Sequence, residues 1–196
     1  MAAWLDAYFQ RRGQPYYLGL LSAAAMHGSS QQAVQVTQII VAKPTRPFDL
    51  GRVHIDFFVK SSLALTPLAE LPGLPAPLAI STPEATAIDL IAFSHAIGGV
   101  ARAAEVIDGM REKMTVMGMR QALASEPRNP VKQRLGYVLE VLGMEKLVPT
   151  VWRSISFDAK FIMLQTHTAE VTAGRPAPSR WKVLDNIGLV ATQKSF

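Results

Sequence analysis

Residues able to do acid–base or metal chemistry are few in this chain, and they are scattered. The four histidines, His27, His54, His95 and His167, each stand alone in their segments. No His, Asp and Glu cluster has metal-ligand spacing. His54 and Asp56 are two residues apart and share a face of any extended strand. The preferred reading is a plain pair on the exposed face of a hairpin. Asp158-Ala159-Lys160 carries the D-x-K tripeptide of metal-dependent nucleases, in which carboxylates hold Mg²⁺ and lysine aids the attack. Such a site needs a remote acid, for which Asp49 or Asp56 is the candidate; the competing and favoured reading is a solvated turn. No G-x-x-x-x-G-K-[ST], G-x-G-x-x-G, H-E-x-x-H or G-x-S-x-G motif occurs. The absence of Cys excludes a disulfide framework, a thiolate zinc site and a cysteine nucleophile. No cofactor or metal is expected.

Charge is the stronger signal. The chain of 196 residues has a formal charge of +5 and a pI near 9.7. Residues 1–100 balance six basic groups against six acidic ones, whereas residues 101–196 hold 14 basic and nine acidic groups, so the excess lies in the second half. Between residues 111 and 134 six cations, Arg111, Lys113, Arg120, Arg128, Lys132 and Arg134, face only Glu112 and Glu126. An electropositive face on a helical segment follows, suited to anionic partners. The same segment has no aromatic residue to stack on bases, which favours a solvated or protein-contacting face over direct nucleic-acid binding.

The elements that must position these residues follow from local pattern. A 49% hydrophobic, 18% charged composition with mean hydropathy +0.17 has ample apolar surface for a core and excludes a disordered tail. Met1–Gly13 reads as a short amphipathic helix, with Leu5, Tyr8 and Phe9 on one face and Trp4 close by. It does not read as a signal peptide: Asp6 interrupts it and Arg11 and Arg12 come late. The most apolar stretch, Tyr16–Met26, is far shorter than the roughly 20 residues of a membrane span, so the protein is expected to be cytoplasmic, with no membrane partner.

Pro15–His27 is Leu- and Ala-rich and predicts one helix closed by Gly28. Val34–Ala42 and Arg52–Lys60 read as strands joined by the turn-rich Lys43–Gly51, a hairpin with a long connection. Thr66–Pro77, with four prolines, predicts an extended loop without a ladder. A short strand at Leu78–Ile80 precedes Ser81-Thr82-Pro83-Glu84, a helix start with Glu84 reaching back as in a capping box, and the helix turns Ile88, Ile91 and Ala92 inward. Helices follow at Val100–Lys113 and Thr115–Ala124, from Asn129-Pro130 to Gly143, and over Glu145–Ile155. Tyr16, Tyr17, Leu20, Leu21, Leu135, Val138, Leu139 and Leu142 are core candidates, and the Met residues at 110–119 are taken as core fillers. Phe161–Gln165 and Trp181–Ile187 are late strands around the turn-rich Thr172–Ser179. The expected fold is a single α+β domain: an early hairpin and late strands complete one mixed sheet, packed with a largely helical middle.

Five segments in register, PYYLGLLSAAAMHG, QVTQIIVAKPTRPFDLGRVHIDFFVK, STPEATAIDLI, KQRLGYVLEVLG and RWKVLDN, closely resemble the AbiEi-like antitoxins, transcriptional regulators of type IV toxin–antitoxin systems of abortive infection and phage defence. The similarity runs over roughly residues 2–187. It implies a non-enzymatic antitoxin that counters a nucleotidyltransferase-like toxin, with no catalytic residue to carry over. Longer members add an N-terminal winged helix-turn-helix that binds operator DNA. Here only about a dozen residues precede PYYLGLLSAAAMHG, so residues 1–14 are expected to be a linker helix and 15–196 the C-terminal antitoxin domain. Operator DNA is then a partner only if a winged-helix domain is supplied elsewhere. The Arg111–Arg134 cations are the candidate contact surface; a nuclease and a DNA-binding regulator are the alternatives.

Overall fold

Tyr16–Leu18 is a strand, not the first turn of a helix, and this one reassignment organises the molecule. In the computed structural model, which describes residues 2–29, 36–51, 53–70, 78–166, 175–176 and 180–189, strand β1 (Tyr16–Leu18) sits inside the main sheet. It pairs antiparallel with β2 (Val36–Val41) on one side and parallel with β6 (Ala79–Ser81) on the other. Ladder bonds to two neighbours outweigh the helical preference of the Leu/Ala run, which survives only as α2 (Leu20–Met26). Gly19 makes the corner, because a Cβ there would meet Ile40 at 2.6 Å. Gly28, at φ +80°, ends α2 as expected.

The main sheet has the order β3-β4-β2-β1-β6-β5, with β3 at Phe48–Leu50, β4 at Val53–Val59 and β5 at Leu68–Glu70. Both extended runs are strands, but β2 and β4 pair parallel, Val36 with His54 through Val41 with Val59. The hairpin is instead β3–β4, turning at Gly51 with φ +63°. The connection is long enough to carry an extra edge strand, which frees β4 to run parallel to β2. The ladder-free loop expected over Thr66–Pro77 is also corrected: Leu68–Glu70 pairs antiparallel with β6 at the sheet edge, where proline is tolerated. Pro72, Pro75 and Pro77 lie outside the described residues.

Successive side chains of β2 point to opposite faces, and both faces are covered. Ile39 and Val41 pack with Ile55 beneath α1 (Ala2–Arg11), whose Leu5 and Phe9 are buried there. The Trp4 side chain lies outside the described residues. Ile40 joins the main core with the helical layer: α3 (Pro83–Ala92), α4 (Val100–Gly109), α5 (Val116–Ala124), α6 (Asn129–Val141) and α7 (Val148–Arg153). Leu135, Val138, Leu139 and Leu142 are buried as their spacing requires, whereas Met117 is exposed while Met110 and Met119 are buried.

Helix α3 starts as expected, with Thr82 Oγ1 accepting from Ala85 N and proline in its first turn. Glu84 does not close a capping box. It is buried and accepts from Thr115 N at 2.7 Å and Thr115 Oγ1 at 3.0 Å, tying the start of α5 to α3. Thr115 in turn caps α5 through Gly118 N. Asn129 is inside α6 rather than capping it, and its side chain accepts from Ser156 N.

The late strands do not complete the main sheet. β7 (Ile162–Met163), β9 (Val183–Asp185) and β8 (Arg175–Pro176) form a separate three-stranded sheet in the order β7-β9-β8. Helix α6 holds it: Gln133 Nε2 donates to the carbonyls of Lys160 and Trp181, and Tyr137 OH donates to Asp185. The class is α+β with a mixed main sheet. Among the described residues no helix is long and apolar enough to cross a membrane.

Candidate functional site

The six cations of residues 111–134 do not form one face; the fold divides them by the work each side chain already does. Arg134 is part of the scaffold, its Nε donating to the carbonyls of Met163 and Leu164, and burial lowers its pKa. Arg128 is held by Glu126 in a two-pronged pair, Nε to Oε1 at 2.8 Å and Nη2 to Oε2 at 2.7 Å. The Glu126 side chain is 1% exposed and that of Arg128 50%. Burial opposes ionisation of Glu126, yet its bonds to Arg128 hold the carboxyl below its ordinary pKa. Arg111 bonds Asp108 and the Leu142 carbonyl, and Lys113 lies exposed beyond it. Arg111 borders a cavity of about 500 Å³ shared with Glu112, Thr115, Glu145 and Lys146 over an apolar floor of Met144 and Leu147.

Arg120 and Lys132 do converge. They line a cavity of about 380 Å³ between α5, α6 and α7, together with Arg153, Thr150 and Ser154. Lys132 Nζ donates to the Ser154 carbonyl at 3.1 Å, and burial pulls its pKa down. Among the described residues neither Arg120 nor Arg153 has a carboxylate partner. Three cations with the Thr150 hydroxyl and no acid in the lining suit an anion; the Ser154 hydroxyl already donates to the Val151 carbonyl at 2.7 Å. Sequence reasoning missed Arg153 because it lies 19 positions beyond Arg134, outside the basic run; a helix–helix contact brings it back.

His54 Nδ1 lies 2.7 Å from Asp49 Oδ1 and Nε2 lies 3.1 Å from Asp56 Oδ1. The bond to Asp49 is the main cause that raises the His54 pKa, since both ring nitrogens then donate. The trio is exposed at the β3–β4 edge. Asp158 and Lys160 are exposed in the chain between α7 and β7, with Asp158 accepting from Ser156 Oγ. The two acids proposed as their remote partner are therefore in the main sheet, whereas the tripeptide leads into the small one. His27 is structural, its Nε2–H donating to the Ser81 carbonyl at 2.7 Å. His167 lies outside the described residues. Among those described, no three His, Cys, Asp or Glu side chains gather as a metal site.

One ionisable cluster had no signal in local sequence. Lys60 Nζ bonds Asp89 Oδ1 at 2.8 Å, and Tyr17 OH donates to Asp89 Oδ2 at 2.7 Å. The lysine and aspartate side chains are 3% and 0% exposed. Burial raises the pKa of Asp89 against the pull of Lys60, and burial beside that carboxylate raises that of Tyr17. The pair closes β4, β1 and α3 together and is sealed from any substrate.

No curated protein matches the chain by sequence. Among solved structures, the RV2827C protein from Mycobacterium tuberculosis shares the fold, with a TM-score of 0.64 at 15% identity over 98% of this chain and 70% of that one. The sequence family described as the AbiEi antitoxin C-terminal domain matches residues 17–141, from β1 through the whole of α6. The chain belongs to the AbiEi antitoxin C-terminal domain family, and its role is that of an antitoxin domain in a toxin–antitoxin system.

Proposed function

We propose that this domain neutralises a nucleotidyltransferase-like toxin without catalysis, through cations of its helical layer: Arg120 and Lys132 at one cavity, with Arg111 and Lys113 ahead of α5. The family match over residues 17–141 carries the reading. The convergence of Arg120 and Lys132 supports a surface role, because cations without acid partners are available to an anionic counterpart. Arg128 and Arg134 act behind that surface, through Glu126 and through the small sheet.

A nucleotidyltransferase-like reading frame beside the gene is the first expected finding. Growth on co-expression with that toxin is the functional assay. The triple charge reversal Lys113→Glu, Arg120→Glu and Arg153→Glu, at three exposed side chains, is expected to abolish rescue while circular dichroism and melting stay close to wild type. Full rescue by the folded triple variant refutes the surface; toxicity unrelieved by the wild-type domain refutes the function.

A further inference from the structure

Every exposed Phe or Trp among the described residues lies in one short segment. Trp152 is 44% exposed at the end of α7, Phe157 is 95% exposed and Phe161 73% exposed in the chain leading to β7. Single exposed apolar side chains are ordinary, but three exposed aromatics within ten residues of chain, two of them following closely on residues that line a cationic cavity, are not. Thr150, Arg153 and Ser154 turn one face of α7 to that cavity, whereas Trp152 leaves the opposite face and meets Trp181. Three residues of chain span at most about 10 Å, so Phe157 stands within that reach of Ser154. Lys160 is exposed between Phe157 and Phe161, and the segment's one carboxylate, Asp158, is engaged by Ser156.

The backbone that presents these rings is fastened at successive carbonyls. Lys132 Nζ bonds the Ser154 carbonyl, Lys182 Nζ those of Phe157 and Ala159, and Gln133 Nε2 that of Lys160. Asn129 receives Ser156 N. Trp152 is braced edge-on by Trp181 at 6.0 Å between ring centroids. Rings held out into water on a fixed backbone lose little freedom when something stacks on them.

We propose that the Trp152–Phe161 segment and the Arg120, Lys132 and Arg153 cavity together bind a single-stranded polynucleotide, its phosphate in the cavity and its bases on Phe157 and Phe161. Three cations without a carboxylate partner among the described residues and the Thr150 hydroxyl suit a phosphodiester, and the rings offer faces to unstacked bases that a duplex keeps stacked on one another. This activity goes beyond toxin neutralisation and is measured without the toxin, so either can fail alone.

The test is fluorescence anisotropy of the full chain with labelled 12-nucleotide oligo(rU), oligo(dT) and a mixed-sequence 12-base-pair duplex. Single strands are expected to bind in preference to the duplex, and the two sugars show whether a 2′-hydroxyl is read. Engaging about one phosphate predicts a roughly 2- to 3-fold loss of affinity from 50 to 200 mM salt. Phe157→Ala is expected to weaken binding by about 5- to 100-fold, and Phe157→Tyr to retain it. Phe157 is almost wholly in solvent, so its loss leaves the fold intact. Equal affinity for the duplex, indifference to Phe157→Ala, or binding of poly-glutamate through Phe157 without binding of either oligonucleotide overturns the proposal.

Discussion

Gly136 in the middle of α6 lies directly under the indole of Trp181, and a Cβ built there overlaps the six-membered ring far inside the 3.0 Å limit of real contacts. Two effects of Gly136→Ala oppose each other. Alanine favours an interior helical position by about 1 kcal/mol. Against this, Trp181 is fully buried, bonds Glu140 through its indole N–H and accepts from Gln133 on its carbonyl. Expelling such a ring costs about 3–5 kcal/mol. The net expectation is a destabilisation of about 2–4 kcal/mol, a fall in Tm of roughly 5–15 °C at this size. Urea unfolding followed by circular dichroism measures it. In a Trp181→Ala background the space is vacant, so Gly136→Ala is expected to become neutral or stabilising. A Gly136→Ala single variant within about 0.5 kcal/mol of wild type, or one with the same cost in both backgrounds, refutes the packing argument.

The buried ion pair predicts a different asymmetry. Lys60→Met leaves a buried carboxylate unpaired and is expected to cost about 3–5 kcal/mol by chemical denaturation at pH 7. Adding Asp89→Asn, which keeps an acceptor for Tyr17, should restore about half of that or more. In the single variant, stability should rise as the pH falls, because burial raises the folded pKa of Asp89 and the folded state takes up the proton first. For the buried Glu126, Glu126→Gln is expected to cost about 1 kcal/mol at pH 7, discounted for the half-exposed Arg128. The folded pKa of Glu126 is lowered, so its contribution is present above the unfolded value of about 4.3 and lost as the pH falls through the folded one. The melting curves of variant and wild type should therefore converge in acid.

The helix starts at Thr82-Pro83 and Thr115, the stop at Gly28 and the buried stripe of α6 were legible because each is settled by residues within about four positions. The candidate surface was half legible. The cations were visible as a run, but their sorting into Arg134 as scaffold, Arg128 as Glu126's partner, and Arg120 and Lys132 at a cavity without an acid depends on carbonyls and acids contributed by other elements. The lack of aromatics beside the cations was true of residues 111–134 and untrue of the chain that follows α7, where Phe157 and Phe161 are exposed shortly after the cavity-lining Arg153.

By itself the sequence determined the α+β class, the exclusion of cysteine chemistry and those helix ends that a local cap or glycine marks, at Thr82, Thr115 and Gly28. Periodicity, caps and composition act locally and need no partner. Only the tertiary structure decided that Tyr16–Leu18 is a central strand, that β2 and β4 run parallel, that the late strands form their own sheet and that Lys60 meets Asp89. Strand pairing and the burial of a charge are free energies of contact between residues far apart in the chain, and no local pattern carries them.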